Sequence, residues 1–242
     1  MGRVKIAKKS TFIDMTAMSD VTVLLLTFFM LTSTFLAKEP TTVITPASVS
    51  EEKVQETNFV QVLVSPEGKV WLTMNNDTSQ MYSNDKMRAA LLDRVAGIYN
   101  ETHPNKPISF TEKQKKAFSK LGSFGVPLTQ MGEFLDLADK SEGTTAMDNW
   151  LQGKDGNPNH ITGIPVSWNQ DANRPNEFQM WMKAMRQTEN EALASAIKDG
   201  TGVAIKADQN TAFDVIHMVM DNLQTIKMNK FTLLTALKTG GE

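Results

Sequence analysis

The strongest constraint on this chain is an uncharged apolar run close to its N-terminus. Seventeen consecutive residues, from Val21 to Ala37, carry no charge. As an α-helix this run is about 26 Å long, slightly less than a hydrocarbon core of about 30 Å. A helix that begins at Met15 is long enough to span a membrane, and it then contains Asp20. Because a charged carboxylate inside a membrane costs free energy, Asp20 needs an explanation.

Charged residues on either side of the run predict its orientation. Basic residues precede it, with no acidic residue before Asp14, whereas Lys38, Glu39 and several more acidic residues follow it. An excess of basic residues marks the cytoplasmic side of a membrane helix. The sequence therefore predicts a cytoplasmic segment at 1–12, a transmembrane helix at 13–37, an extended linker at 38–58 and a periplasmic domain at 59–242.

Three interpretations of Asp20 are open at this point. A cleaved signal peptide has a basic start and an apolar core, but "TFLAKEP" is a poor cleavage site and the uncharged run is long for this role. In a plain membrane anchor, Asp20 caps the start of the helix and interacts with its dipole. In the third interpretation, Asp20 faces a protein interior or a water path and exchanges protons, because desolvation favours the neutral form of a carboxyl group.

Composition excludes or disfavours several other functions. The formal net charge is −2 and there is no basic stripe with interleaved aromatic residues, so nothing indicates nucleic-acid binding. Because the chain has no cysteine, disulfides and thiolate metal sites are excluded. His103, His160 and His217 share no metal-ligand spacing, and no nucleophile–base set is evident. We therefore expect no metal, no cofactor and no enzymatic activity.

The part of the chain after the linker has the pattern of a small α+β domain. Two short β-branched and aromatic runs flank "SPEG", a combination typical of a β-hairpin. Later segments complete the order β-β-α…β-α-β, which predicts a two-layer domain with its helices on one face of the sheet. The predicted elements are strands Asn58–Val64 and Lys69–Met74, helix Lys86–Tyr99, strand Val203–Lys206, helix Thr211–Ile226 and strand Phe231–Leu237.

A largely helical and loop-like insert, at about 101–186, interrupts this pattern. A short helix is expected after "FGVP", and Phe178–Ile197 has the periodicity of one long amphipathic helix. The acidic residues of the insert are expected to be solvated surface, so the insert is interpreted as an interaction surface or a stabilising extension. The expected buried positions are Met131, Phe134, Leu135 and Leu137 in the short helix, and Phe213, Ile216, Val219, Met220 and Leu223 in helix Thr211–Ile226.

Ile13–Leu31 closely resembles the N-terminal signature of the ExbD/TolR family. The stretch "IDMTAMSDVTVLLLTFFML" stands where the family has I-N-V-T-P-x-x-D-V-x-L-V-L-L-I-x-F-M, with Asp14 in place of Asn and Ala17 in place of Pro. "VITPAS" at Val43–Ser48 and the C-terminal strand–helix–strand unit also resemble the family. The insert is similar to that of ExbD-like proteins of Bacteroidota-type bacteria, which have an enlarged periplasmic domain. The matching positions are Ile13, Thr16, Asp20, Val21, Leu24, Leu25, Phe29 and Met30 in the first stretch, and Ile205, Ala207, Asp208, Val219, Met220, Asp221, Leu223 and Leu233 in the last.

The resemblance implies a function. It implies the small, single-pass subunit of a proton-channel or motor complex in the bacterial inner membrane, with a cytoplasmic N-terminus and a periplasmic domain. Two such subunits would thread their helices through a pentameric ring of an ExbB-like partner and convert proton motive force into work on a TonB-like protein for energised outer-membrane transport. A TolR-like subunit of an envelope-maintenance motor is an alternative, and so is a non-motor, membrane-anchored periplasmic binding domain.

The resemblance also implies roles for individual residues. Asp20 would be the proton-carrying group. Asp14 is a possible accessory proton site, although we favour a solvated position in the cytoplasmic chain. The remaining implied residues are Thr16, Leu24, Thr27 and Phe29, which would pack the span against the ring, and Val43, Pro46, Ala47 and Ser48, which would form a recognition segment in the linker.

Overall fold

The structure is a computed structural model that describes residues 15–32, 39–48, 57–75, 84–140 and 142–237. The chain divides into two compact units, 1–37 and 38–242, and each is described by itself. In the first unit, helix α1 spans Met15–Thr32 and none of its residues is buried. Its large apolar side chains are between 52% and 87% exposed. The helix is long and apolar enough to cross a membrane, which would remove these side chains from water.

The second unit is built around a β-hairpin. Strand β2 (Phe59–Val64) pairs antiparallel with β3 (Val70–Asn75). The turn between them is closed by a hydrogen bond from the Ser65 N–H to the Lys69 carbonyl at 3.0 Å, and Gly68 takes a φ of +78°, which favours glycine. The hairpin predicted from the two apolar runs around "SPEG" is confirmed.

Three further strands extend the hairpin into a five-stranded mixed sheet. Strand β5 (Val203–Ala207) lies parallel to β2, and β6 (Thr232–Leu233) lies parallel to β5 at one edge. Strand β4 (Ser123–Phe124) pairs with β3 at the other edge, so the order is β4-β3-β2-β5-β6. The sheet therefore joins residues from the first third of the domain to residues near its C-terminus.

Eight helices are described in the chain, and seven of them belong to the second unit. Helix α2 is longer at both ends than the predicted Lys86–Tyr99, and the pair α6–α7 replaces the single long helix expected at 178–197. The bounds are α2 Asn84–Thr102, α3 Glu112–Ser119, α4 Leu128–Asp136, α5 Gly143–Leu151, α6 Glu177–Arg186, α7 Glu191–Asp199 and α8 Phe213–Thr225, with a 3-10 turn at Leu137–Asp139. Together with the sheet they confirm the predicted α+β class.

The prediction of one long helix over Phe178–Ile197 was wrong because Asn190 starts a new helix. Its side chain accepts hydrogen bonds from the N–H groups of Ala192 and Leu193, at 3.0 and 3.3 Å. Asparagine is unfavourable inside a helix and favourable as an N-cap for this reason. The apolar periodicity continues across the break because α6 and α7 both pack on the same core.

The core lies where the helices meet the sheet. By register, Val62 of β2, Leu72 of β3 and Ile205 of β5 point to the same face, and all are fully buried. Phe124 of β4 extends this face, and its ring contacts that of Trp181 in α6 with centroids 4.6 Å apart. The opposite face is also buried at Leu63 and Trp71, which are 1% and 2% exposed.

Two further predictions need correction at the C-terminal end. The segment Phe231–Leu237 is not one strand, because β6 ends at Leu233 and a separate strand β7 (Ala236–Leu237) pairs parallel with β1 (Ala47–Ser48). The expected burial of Phe213 is also wrong, since its side chain is 72% exposed. Phe213 lies about 120° around α8 from the buried Val219, so the two do not share the core face.

Candidate functional site

Asp20 lies inside a helix rather than at its start. Helix α1 already begins at Met15 and has no acidic residue in its first turn, so Asp20 falls in the second turn. An N-cap residue flanks the helix with non-helical backbone angles. Asp20 is therefore not the N-cap of α1. The possible accessory residue Asp14 lies outside the described residues.

The residues predicted to pack the span divide between two faces of α1. Thr16, Leu24 and Thr27 are at positions i−4, i+4 and i+7 relative to Asp20, which places them on its face of the helix. Phe29 is nine residues on, about 180° around the helix, and so lies on the opposite face. The predicted set therefore contains two threonines and one leucine on the Asp20 face and one aromatic residue on the opposite face.

The carboxylate of Asp20 has no hydrogen-bond or ion-pair partner within residues 15–32. Neighbouring hydroxyls bond to the backbone of their own helix: the Ser19 hydroxyl donates to the Met15 carbonyl and the Thr22 hydroxyl to the Met18 carbonyl, both at 2.8 Å. Thr27 does the same toward Leu24, at 2.9 Å. A carboxylate placed among apolar side chains without a partner requires either a proton or a polar group from outside the helix.

A second candidate site involves residues 39–48, which we call the docked segment. This segment lies against the rest of the second unit: Pro40 is buried and Val43 packs against the core. Farther on, Ala47 and Ser48 form β1 and pair with β7. Of the predicted recognition residues, Val43, Ala47 and Ser48 thus contact the domain, and Pro46 is exposed.

Asp208 fixes the middle of the docked segment. Its Oδ2 atom accepts a hydrogen bond from the Ile44 N–H at 2.8 Å, and the next residue, Gln209, donates its own N–H to the Ile44 carbonyl at 2.8 Å. A further bond comes from the Asn210 N–H to Oδ1 at 2.9 Å. The backbone hydrogen bonds from Asn210 and Ile44 lower the pKa of Asp208 below its ordinary value, because they favour the charged form.

An ion pair fixes the start of the docked segment. The Nζ atom of Lys206 lies 2.7 Å and 2.8 Å from the two carboxylate oxygens of Glu39. No role was predicted for this pair, because 167 residues separate its members and no local motif links them. Asp208, by contrast, is one of the positions in the C-terminal unit that resemble the ExbD/TolR family, so the sequence did single out this residue.

In the described part of the chain, no group of three or more His, Asp or Glu side chains is arranged to hold a metal ion. His160 instead stacks on Trp150, with ring centroids 3.5 Å apart, and its Nδ1 atom contacts the Asp155 carboxylate. This histidine is thus part of the packing around α5.

Comparison with known proteins bears on both sites. Residues 7–109 match the family described as biopolymer transport protein ExbD/TolR. This stretch is an ExbD/TolR family domain. It contains α1 with Asp20, the docked segment, the β2–β3 hairpin and α2, and it confirms the predicted resemblance for this part of the chain. No curated protein matches the chain, and no solved structure matches it.

The C-terminal unit β5–α8–β6 lies beyond the matched residues but completes the same sheet. Strand β5 pairs with β2 over five residues, from Val60↔Val203 to Val64↔Ala207. The matched ExbD/TolR stretch thus supplies the central hairpin and the C-terminal unit supplies its parallel neighbour. Between them, residues 110–202 contribute strand β4 and five helices.

Proposed function

We propose that this chain is the proton-carrying subunit of an ExbB–ExbD type motor in the bacterial inner membrane. The observation that supports it most is Asp20, a carboxylate inside the apolar helix α1 that has no partner among residues 15–32, within a stretch that matches the ExbD/TolR family. Its N-terminus would be cytoplasmic, because basic residues precede the helix and acidic residues follow it. The second unit would then lie in the periplasm.

The mechanism follows from the two protonation states of Asp20. A neutral carboxylic acid can pack against apolar walls, whereas an ionised one needs water or a polar partner. Protonation from one side of the membrane and release to the other would alternate the favoured packing of α1 inside a partner ring. Differential stabilisation of two packings is the requirement for a switch that does work.

The partners in this proposal are a pentameric ExbB-like ring, a second copy of this chain and a TonB-like protein. Thr16, Leu24 and Thr27, on the Asp20 face, and Phe29, on the opposite face, would contact the ring or the second copy. The docked segment, with Val43, Pro46, Ala47 and Ser48, would be the recognition element between span and domain.

The test is the variant Asp20→Asn, measured by uptake through an energised outer-membrane receptor. We expect uptake to be abolished while the variant still inserts and co-purifies with the ring, because asparagine keeps the shape and loses the titration. Ser19→Asn is the matched control, since it adds the same amide one residue away on a different helix face, and it should retain uptake. Asp14→Asn is expected to be milder than Asp20→Asn. Near-normal uptake in Asp20→Asn would remove the carrier role.

A TolR-like function is a second candidate because the matched family includes both ExbD and TolR. Deletion of the gene separates the two, since loss of receptor-dependent uptake with an intact outer membrane supports the ExbD type. Detergent sensitivity with normal uptake supports the TolR type. Purification without any polytopic ring partner supports the membrane-anchored binding domain instead.

A further inference from the structure

An aromatic group lies on the outer surface of the second unit, and the proposed function does not use it. Trp168, Phe213 and His217 form this group, which we call the aromatic platform. His217 lies in the middle: its ring meets Trp168 edge-on at 5.3 Å between centroids and stacks with Phe213 at 5.8 Å. Trp168 is 51% exposed and Phe213 is 72% exposed. Large aromatic side chains held together in solvent are the usual anchors of binding surfaces.

Buried amides hold the backbone on both sides of Trp168. The carbonyl of Ser167 accepts hydrogen bonds from the side chains of Asn176 and Asn222, at 2.8 and 3.0 Å. The carbonyl of Asn169 accepts one from the side chain of Gln179, at 3.1 Å. Asn222 and Gln179 are completely buried, so this part of the core serves to position an exposed loop.

This arrangement lowers the entropic cost of binding at Trp168. An exposed side chain on a mobile loop loses conformational freedom when a partner binds, and that loss weakens the complex. Here the two residues that flank Trp168 are already fixed to α6 and α8 by hydrogen bonds. The backbone positions of Phe213 and His217 are fixed because both residues lie on α8.

The charge around the platform indicates what it binds. Helix α8 carries two acidic residues, Asp214 and Asp221, and no lysine or arginine. Both lie within about 60° of His217 around the helix. Asp214 is exposed and Asp221 is half-buried. The loop that bears Trp168 adds Asp171 and Arg174, and the Lys183 ammonium group of α6 donates to the Ala172 carbonyl of this loop. The acidic excess therefore lies on α8 and not on the loop.

Asp221 also has acceptor capacity that the described residues leave unused. Its Oδ2 atom is buried and has no hydrogen-bond donor within the described ranges. Unsatisfied buried acceptors are rare in folded proteins, because the lost hydration is not replaced. Because Oδ2 is buried, Asp221 contributes its negative charge at the edge of the platform, and the exposed Asp214 is the aspartate within direct reach of a cation.

We infer that the aromatic platform with Asp214 and Asp221 docks a segment of a partner protein that carries lysine or arginine beside apolar residues. Cations bind over aromatic faces, most strongly over Trp, and the two aspartates provide complementary charge. The inference deepens the proposed function and rests on it only for the presence of a partner protein in the periplasm. It does not require that Asp20 carries protons.

The test uses the full-length chain in nanodiscs of zwitterionic lipid and a short fluorescein-labelled peptide in which lysine and leucine are spaced by glycine and serine. A matched peptide has glutamate in place of each lysine. We expect the lysine peptide to bind, and Trp168→Ala to weaken this binding by about tenfold or more. Asp214→Asn should weaken it about threefold, and the glutamate peptide should not bind.

Matched controls separate recognition from folding. Ile161→Ala removes a side chain that is as exposed as Trp168, at 52% against 51%, and it should leave binding within about twofold of the unmodified chain. Melting temperatures of Trp168→Ala and Asp214→Asn should stay near that of the unmodified chain, because both side chains are exposed. Asp20→Asn should bind the peptide normally, so a failed motor and a failed platform give different results.

Three outcomes would overturn the inference. Equal binding of the lysine peptide by Trp168→Ala and the unmodified chain would show that the aromatic platform is not the binding site. Self-association that Trp168→Ala abolishes, without peptide binding, would assign the surface to a second copy of this chain. Binding of a soluble β-linked N-acetylglucosamine oligosaccharide in place of the peptide would assign it to a carbohydrate.

Discussion

The backbone N–H of Ile44 donates to the carboxylate of Asp208 at 2.8 Å, across 164 residues of chain. This bond joins the docked segment to the end of strand β5, where the Asp208 N–H in turn donates to the Val64 carbonyl of β2. The matched ExbD/TolR stretch and the C-terminal unit are therefore connected through Asp208 as well as through the sheet. The docked segment, which precedes the β2–β3 hairpin in sequence, is thus held in place by Asp208, near the C-terminal end of the domain.

Removal of the Asp208 carboxylate is expected to release the docked segment. In Asp208→Ala the Ile44 N–H loses its partner, so amide hydrogen exchange at residues 43–48 should accelerate by about tenfold or more. Exchange in the β2–β3 hairpin should not change. Asp199→Ala, at an exposed position on α7, is the matched control and should leave exchange at 43–48 unaltered. Unchanged protection of Ile44 in Asp208→Ala would show that the remaining contacts, among them the Gln209 N–H to the Ile44 carbonyl and the β1–β7 pairing, suffice to hold the segment.

The ion pair between Glu39 and Lys206 should contribute less than Asp208 does. Both side chains are partly exposed, at 38% and 22%, and such pairs contribute about 0–1 kcal/mol. Glu39→Gln is therefore expected to raise exchange only at residues 39–42, and high salt should reproduce its effect. An effect of Glu39→Gln as large as that of Asp208→Ala would contradict this order.

Docking of the segment is expected to be insensitive to pH near neutrality. Backbone hydrogen bonds from Asn210 and Ile44 lower the pKa of Asp208 from its ordinary value of 3.8, so the carboxylate is ionised throughout the neutral range. A carboxylate whose pKa is lowered by folding contributes to the free energy of unfolding. This contribution is complete above the unfolded-state pKa and is lost as pH falls through the folded-state pKa. Exchange protection of Ile44 should therefore be constant from about pH 5 to pH 8. A change of protection within that range would mean that another group controls docking.

Local patterns predicted the elements whose contacts are local. The hairpin followed from two β-branched runs around a turn sequence, and α2 followed from apolar spacing at Met87, Leu91 and Val95. Asp20 was found in the same way, because an acidic residue in an apolar run is visible in one short stretch. These signals need no knowledge of the rest of the chain.

Non-local contacts explain what the sequence did not predict. The split of the last strand depends on β1, which is about 190 residues away and offers β7 a second partner. Periodicity could not place the break before α7, because Asn190 caps a helix whose apolar face continues that of α6. The Glu39–Lys206 pair and the Asp208–Ile44 bond have no local signature for the same reason.

Stability should fall as pH rises toward neutrality because of Glu177. This side chain accepts a hydrogen bond from the Leu128 N–H at the start of α4, where Pro127 offers no side-chain cap. Burial raises the pKa of Glu177 from 4.5 to about 7, and the bond from Leu128 offsets only part of this. With a raised pKa the folded state binds the proton more tightly, so the free energy of unfolding decreases between about pH 4.5 and pH 7.

Glu177→Gln should remove this pH dependence. Glutamine can still accept the Leu128 N–H but carries no charge, so above pH 7 the variant should be more stable than the unmodified chain by roughly 1–3 kcal/mol. Urea unfolding at several pH values measures this. Glu191→Gln, in the exposed first turn of α7, is the control and should change little. A variant that is less stable than the unmodified chain at pH 8 would show that the charge itself stabilises α4.

Gly125 packs directly against Trp71, whereas Gly97 has open space around it, so alanine substitutions at the two sites should have opposite effects on stability. A Cβ atom added at Gly125 would lie 2.2 Å from the Cδ1 atom of Trp71, whose ring is buried and cannot move aside. Gly125→Ala should therefore lower the free energy of unfolding by about 1–3 kcal/mol or more.

At Gly97, inside α2, a Cβ would meet no atom within 4 Å. Gly97→Ala should raise stability by about 0.5–1 kcal/mol, since alanine is the better helix former. Chemical denaturation of both variants checks the pair, and equal effects would mean that the Trp71 ring is free to shift.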